Sequence, residues 1–135
     1  MSAPISEIKG VEPEIKNKLE AEGIRNTGQF LEHAHTAKQR TELAHKIGVS
    51  QVVIKELANR ADLMRLSGVG SVYSDLLEEA GVNSCKELQH RTPENLLNTL
   101  EKLKTSKKLP QHVPTLAQIQ QWIGESKGFA ATSPE

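Results

Sequence analysis

Apolar residues recur along this chain at three- and four-residue spacing, the period of a helix face. Leu96, Leu97, Leu100 and Leu103 form one such stripe behind Thr92-Pro93. Threonine suits the capping position there and proline the first turn, because the N–H that proline lacks has no partner at a helix start anyway. Ser50 precedes Val53, Ile54, Leu57, Ala58 and Ala61, and Thr115 precedes Leu116, Ile119, Trp122 and Ile123, which predicts two more capped helices. Pro13 suits a first helical position, Gly23 and Gly81 suit the left-handed residue beyond a helix end, and Ser84 with Glu87 reads as a capping box. No stretch of five or more residues alternates cleanly with a two-residue period, so no strand is expected and the fold class is all-α.

Shifted by 58 residues, the chain matches itself. Ile8-Lys9-Gly10-Val11 falls on Leu66-Ser67-Gly68-Val69, and the register continues through Ile15 on Tyr73, Leu19 on Leu77, Gly23-Ile24 on Gly81-Val82 and Phe30 on Leu88. Beyond that the copies drift, with Arg40-Thr41 resembling Arg91-Thr92, and Ile54 and Leu57 resembling Ile119 and Trp122. The second copy is longer by Lys104-Thr105-Ser106-Lys107-Lys108-Leu109-Pro110, a polar and basic stretch with the composition of an exposed loop. Two units are expected, residues 1–60 and 61–126, packed into one compact helical domain and followed by a disordered tail at 127–135.

The segment Leu63-Met64-Arg65-Leu66-Ser67-Gly68-Val69-Gly70-Ser71-Val72-Tyr73-Ser74-Asp75-Leu76-Leu77 flanks a Gly-Val-Gly turn with apolar pairs. It resembles a helix-hairpin-helix. Gly68 and Gly70 permit a tight turn with positive φ, Val69 between them can drop into the core, and Ser74 is small enough for close helix contact. The resemblance implies phosphate contact: in DNA-binding members, the hairpin amides and the next helix N-terminus face phosphate oxygens. Unpaired amides and the helix dipole attract an anion whatever the base sequence. Gly68, Val69, Gly70 and Ser71 would supply those amides, with Arg65 as the nearest cation.

The first copy departs from this pattern, with Glu12 in place of the second glycine, Pro13 and Glu14 after it, and Lys16 at the small-residue position. It reads as structural. Asp75, Glu78 and Glu79 follow the second hairpin, where a DNA-binding version usually carries Lys or Arg, and backbone affinity needs several basic contacts. Both hairpins, with Ala61-Asp62, Tyr73, Leu76-Leu77 and the closing Trp122-Ile123, resemble a bacterial family of tandem helix-hairpin-helix domains, the domain of unknown function of the DUF4332 type. The resemblance spans residues 5–127 and implies an architecture without an activity.

Composition narrows the picture. A chain of 135 residues holds one compact core or two very small ones, which excludes a large multidomain enzyme. Its aromatics are 3%, Phe30, Tyr73, Trp122 and Phe129, so the core must be aliphatic; Tyr73 and Trp122 align with Ile15 and Leu57 and read as core rather than base-stacking residues. Seventeen basic and seventeen acidic residues cancel, so no global field draws the protein to nucleic acid or an anionic membrane, and any such contact must be local. No apolar run approaches the ~18 residues of a membrane helix. Met1-Ser2-Ala3-Pro4 has neither a basic nor an apolar leader pattern and Cys85 has no partner for a disulfide, so a cytoplasmic location is expected.

Candidate chemistry is sparse. Lys102, Lys104, Lys107 and Lys108, with His112, form a basic patch that serves either phosphate or acidic-protein contact or is a solvated loop. His33 and His35 fall on different helix faces and the other histidines have no companion at ligand spacing, so no metal is expected. Cys85 aligns with Thr27 as a small residue at a helix start, a place that can also lower a thiol pKa. Without a triad, a phosphate-binding glycine loop or a metalloprotease motif, no enzyme, cofactor or small-molecule substrate is expected. Two readings remain open: a binding module touching a DNA or RNA backbone without sequence selectivity through the second hairpin, or a protein-interaction or scaffold module. Exposed apolar surface with no basic patch beside Gly68 to Ser71 favours the latter.

Overall fold

The structure, a computed structural model, describes residues 2–107 and 113–135. Among the described residues, eight α-helices follow one another: α1 Pro13–Ala21, α2 Thr27–His33, α3 Ala37–Ile47, α4 Gln51–Leu63, α5 Ser71–Glu79, α6 Cys85–Leu88, α7 Pro93–Lys107 and α8 Leu116–Phe129, with 3-10 turns at Ile5–Glu7 and Ala130–Thr132. No strand forms among the described residues, and none of the helices is long and apolar enough to cross a membrane.

Local chemistry sets the helix ends. Ser50 and Thr115 cap α4 and α8, and Thr115 forms a reciprocal box with Gln118. Thr36 does the same with Gln39 at the start of α3, which ends on Gly48 at φ 70°. Ser84 accepts from the Glu87 N–H at 3.1 Å, but the Glu87 carboxylate turns to Arg91 Nε at 3.0 Å instead of closing the box.

Two hydrophobic cores meet within α4. Ile5, Ile8, Leu19, Ile24, Phe30, Ile54 and Leu57 build the first, which also takes Ala61 and Met64. Leu66, Leu76, Leu77, Val82, Leu88, Leu100 and Trp122 build the second, which begins at Leu63. The expected boundary at 60/61 therefore lies inside a continuous helix. Trp122 is 2% exposed, its ring centroid 5.4 Å from that of Tyr73.

Positions 58 residues apart share local geometry. Gly10 and Gly68 have φ of 101° and 79°, and Gly23 and Gly81 of 80° and 87°. Val11 N–H donates to Ile8 O at 3.0 Å and Val69 N–H to Leu66 O at 3.1 Å; Ile24 N–H to Leu19 O at 3.0 Å and Val82 N–H to Leu77 O at 2.9 Å.

The tail expected to be disordered at 127–135 is ordered. Helix α8 continues through Phe129, and Ser133 is 4% exposed, its hydroxyl donating to Asp62 Oδ2 at 2.7 Å and accepting from Lys86 N–H at 3.2 Å. Glu135 N–H donates to His35 O at 2.8 Å. Gly128 and Pro134 are poor helix formers, whereas the order comes from partners far away in sequence.

Candidate functional site

In the segment expected to form the second hairpin, the chain turns at Gly68 and enters α5 from Gly70, which is extended and carries no side-chain cap. Val69 between them is 5% exposed and packs in the second core. Ser71 is half-buried and Val72, one residue on, is 52% exposed. A Cβ built on either glycine meets no atom within 4 Å, so the backbone here is open to approach.

Much of the hairpin's polarity is already spent inside the chain. Glu125 of α8 accepts from Ser67 N–H at 2.9 Å and from its hydroxyl at 2.7 Å. Burial would raise this carboxyl, but the Ser67 bonds outweigh it and hold Glu125 below its ordinary value. Ser67 O in turn accepts from Trp122 Nε1 at 2.8 Å.

Arg65, expected to serve the hairpin as its cation, is turned inward. Its guanidinium pairs with Asp62, donates to Thr132 Oγ1 at 2.7 Å and Phe129 O at 3.1 Å, and lies 4.6 Å over the Phe129 ring. Asp62 is fully buried and binds the guanidinium with a charge-assisted hydrogen bond. Asp62, Thr132 and Phe129 therefore hold this side chain against the fold, away from the turn at Gly68.

Asp75 and Glu78 of α5 are paired across the two halves. Asp75 accepts from Lys9 Nζ at 2.7 Å and Arg60 Nη1 at 3.0 Å, and Glu78 lies 2.8 Å from Arg60 Nη2. Burial would raise Asp75, yet the bonds from Lys9 and Arg60 hold it below the usual carboxylate range. Glu78 shifts the other way, because burial and the neighbouring carboxylates exceed the attraction of Arg60.

Of the basic patch, Lys102 is exposed and Lys104 half-buried on α7, and Lys107 closes that helix. Lys108 and His112 lie outside the described residues. Cys85 is fully buried, its Sγ–H donating to Asp62 O at 3.3 Å and its N–H to Asp62 Oδ2 at 2.8 Å. Burial and the Asp62 charge push its thiol far up, opposite to the activation a helix start can give.

The feature that sequence reasoning missed is a cleft of about 500 Å³ between α3 and α4 on one side and α5 with Asn83 on the other. Arg40, Val52, Lys55 and Asn59 line it. Val52 is 71% exposed while Arg40 is 6% exposed. The exposed valine inside the Ser50-capped helix is the one sequence signal that pointed here, since it stands off the Val53-Ile54-Leu57 face.

Among known proteins, a family model described as Domain of unknown function (DUF4332) matches residues 9–128. No curated protein and no solved structure matches the chain.

Proposed function

Because the chain belongs to the DUF4332 family, a domain of unknown function, we propose its role from its own geometry: a non-enzymatic module of two tandem helix-hairpin-helix units that engages a partner protein at the cleft between them. The matched positive φ values at Gly10 and Gly68 and at Gly23 and Gly81 support the tandem arrangement. The observation that carries the reading is Val52, a large aliphatic side chain 71% exposed in a cleft of about 500 Å³. An apolar side chain left in water within a concavity gains by being covered, at about 25 cal/mol per Å² of apolar surface. So open a rim suits a protein segment better than a sequestered small substrate.

A second reading, sequence-independent contact with a nucleic-acid backbone through the second hairpin, is favoured by the uncapped start of α5 at Gly70. It is weakened by the inward Arg65 and by Glu125 on Ser67, which leave counterion release little to act on.

Two measurements on wild type and Gly70→Glu separate the readings. The first is anisotropy of labelled single- and double-stranded DNA and RNA at low and near-physiological salt; the second is protein capture from nuclease-treated lysate. The protein reading expects both variants to capture the same protein and neither to bind nucleic acid tightly. Micromolar, salt-sensitive nucleic-acid binding lost in Gly70→Glu, with no protein captured, overturns it.

A further inference from the structure

We infer that residues 130–135 form a releasable clasp across the two halves of the chain, and that its release widens the cleft between them. The inference goes beyond the protein-docking reading and holds whichever partner covers the cleft.

The halves share little apolar packing. Their cores are separate clusters that adjoin in the last turn of α4, with Ala61 and Met64 in one and Leu63 in the other. Across the junction Lys9 and Arg60 reach Asp75, and Arg60 reaches Glu78, so these contacts are polar. Open space flanks them. Besides the cleft of about 500 Å³, two cavities of about 330 Å³ each lie between the halves, one lined by Leu31 and Arg65 and the other by His35 and Lys86. Two units joined through a junction that is polar and loosely filled are free to move against each other.

The segment after α8 runs between those two cavities, Thr132 lining one and Ser133 the other, and it grips both halves. On the first half, Glu135 N–H donates to His35 O at 2.8 Å, and the Glu135 main-chain oxygen accepts from Arg40 Nη2 and Lys55 Nζ. The Glu135 charge attracts both cations. On the second half, the Ser133 hydroxyl accepts from Lys86 N–H at 3.2 Å, and Thr132 Oγ1 accepts from Arg65 Nη1 at 2.7 Å. Between the two, Ser133 donates to Asp62 Oδ2 at 2.7 Å.

This clasp is built to let go. No residue from Ala130 to Glu135 belongs to either apolar cluster, and hydrogen bonds of this kind exchange for water at small net cost. Each buried charge keeps a partner when the clasp leaves. Asp62 retains Arg65 and the Cys85 N–H, and Arg40 retains Ala34 O and His35 O. Lys55 is only half-buried and turns to water. Release therefore strands no buried ion, which separates a local opening from unfolding of the whole chain. Arg40 and Lys55 also line the cleft, so the clasp ends on its wall. Its departure unties α3 and α4 from α6, and the cleft facing α5 widens about the last turn of α4.

The test is the distance between spin labels attached at Lys46→Cys on α3 and Lys102→Cys on α7, both exposed, read by electron paramagnetic resonance. Cys85→Ser is present throughout, because serine keeps the donor to Asp62 O. The full chain is compared with a deletion of residues 130–135 and with Ser133→Glu, whose carboxylate faces that of Asp62. The full chain is expected to give one narrow distance. Both variants should add a second, longer by more than about 2 Å, the scale of a domain rearrangement rather than a side-chain one. Melting curves establish which variants fold. An unchanged distance in a folded variant overturns the inference. Loss of folding in both variants overturns it as well, because a clasp that can let go leaves the two cores intact.

Discussion

Asp62 and Ser133, 71 positions apart, are joined by a hydrogen bond of 2.7 Å beneath the surface. Asp62 is fully buried and also accepts from the Cys85 N–H and from Arg65. One carboxylate therefore ties the end of α4 to the start of α6, to its own helix end and to the segment after α8. The network is fully internal, so its worth lies in completeness: removing one member strands the others.

Asp62→Ala is expected to destabilise the protein by about 3–5 kcal/mol, because Arg65 keeps its charge without a carboxylate and the Cys85 N–H loses its acceptor. Ser133→Ala removes only a hydroxyl and should cost about 1 kcal/mol. Urea unfolding of both variants checks the ratio. Equal, small effects would mean that Asp62 is solvated in solution.

Cys85 should resist thiol reagents in the native state and react only as the chain unfolds. Its folded pKa is raised by burial and by Asp62, so the native thiol stays protonated where the unfolded thiol, with a pKa of about 8.5, ionises. The unfolded state then loses the proton first, and stability falls as pH rises past that value. Labelling of native protein near pH 8 at the rate of a small free thiol would contradict the assignment.

The Lys9–Asp75–Arg60 bridge predicts an acid-side pH dependence. Asp75 is held below the usual carboxylate range, so its contribution is complete above the unfolded value of about 3.9 and is lost as pH falls through the lower native value. Glu78, raised by burial, works in the opposite sense and gains as pH falls. Asp75→Asn should therefore flatten the loss of thermal stability below about pH 4. An identical acid limb in both proteins would rule out this bridge as its source.

The two hairpin glycines should behave differently. Gly68 sits at φ 79°, where a side chain is strained, so Gly68→Ala is expected to cost about 1 kcal/mol or more. Gly70 has no positive φ and open space around it, so Gly70→Ala should change stability little. Chemical denaturation of the pair measures this, and a larger cost at Gly70 would contradict the geometry.

The sequence carried whatever is decided locally. Helix starts at Pro13, Ser50, Pro93 and Thr115 and the left-handed turns at Gly23 and Gly81 depend on neighbours within four residues, and the aliphatic stripe of α7 follows from its period. What escaped depends on distant partners. Arg65 reads as a surface cation until Asp62, Phe129 and Thr132 gather around it, and the segment from Lys127 to Glu135 reads as polar and weak until Asp62, Lys86 and His35 receive it. The cleft escaped for the same reason, since Arg40, Lys55 and Asn83 come together only when the two halves pack.

The most direct test uses two exposed valines, Val52 in the cleft and Val72 on the hairpin helix, 71% and 52% exposed. A photo-crosslinking residue placed at each in turn, with irradiation in cells, reports what covers each surface. The account predicts a discrete protein adduct from position 52 and none from position 72. Adducts to nucleic acid or protein from position 72, with position 52 silent, would contradict it.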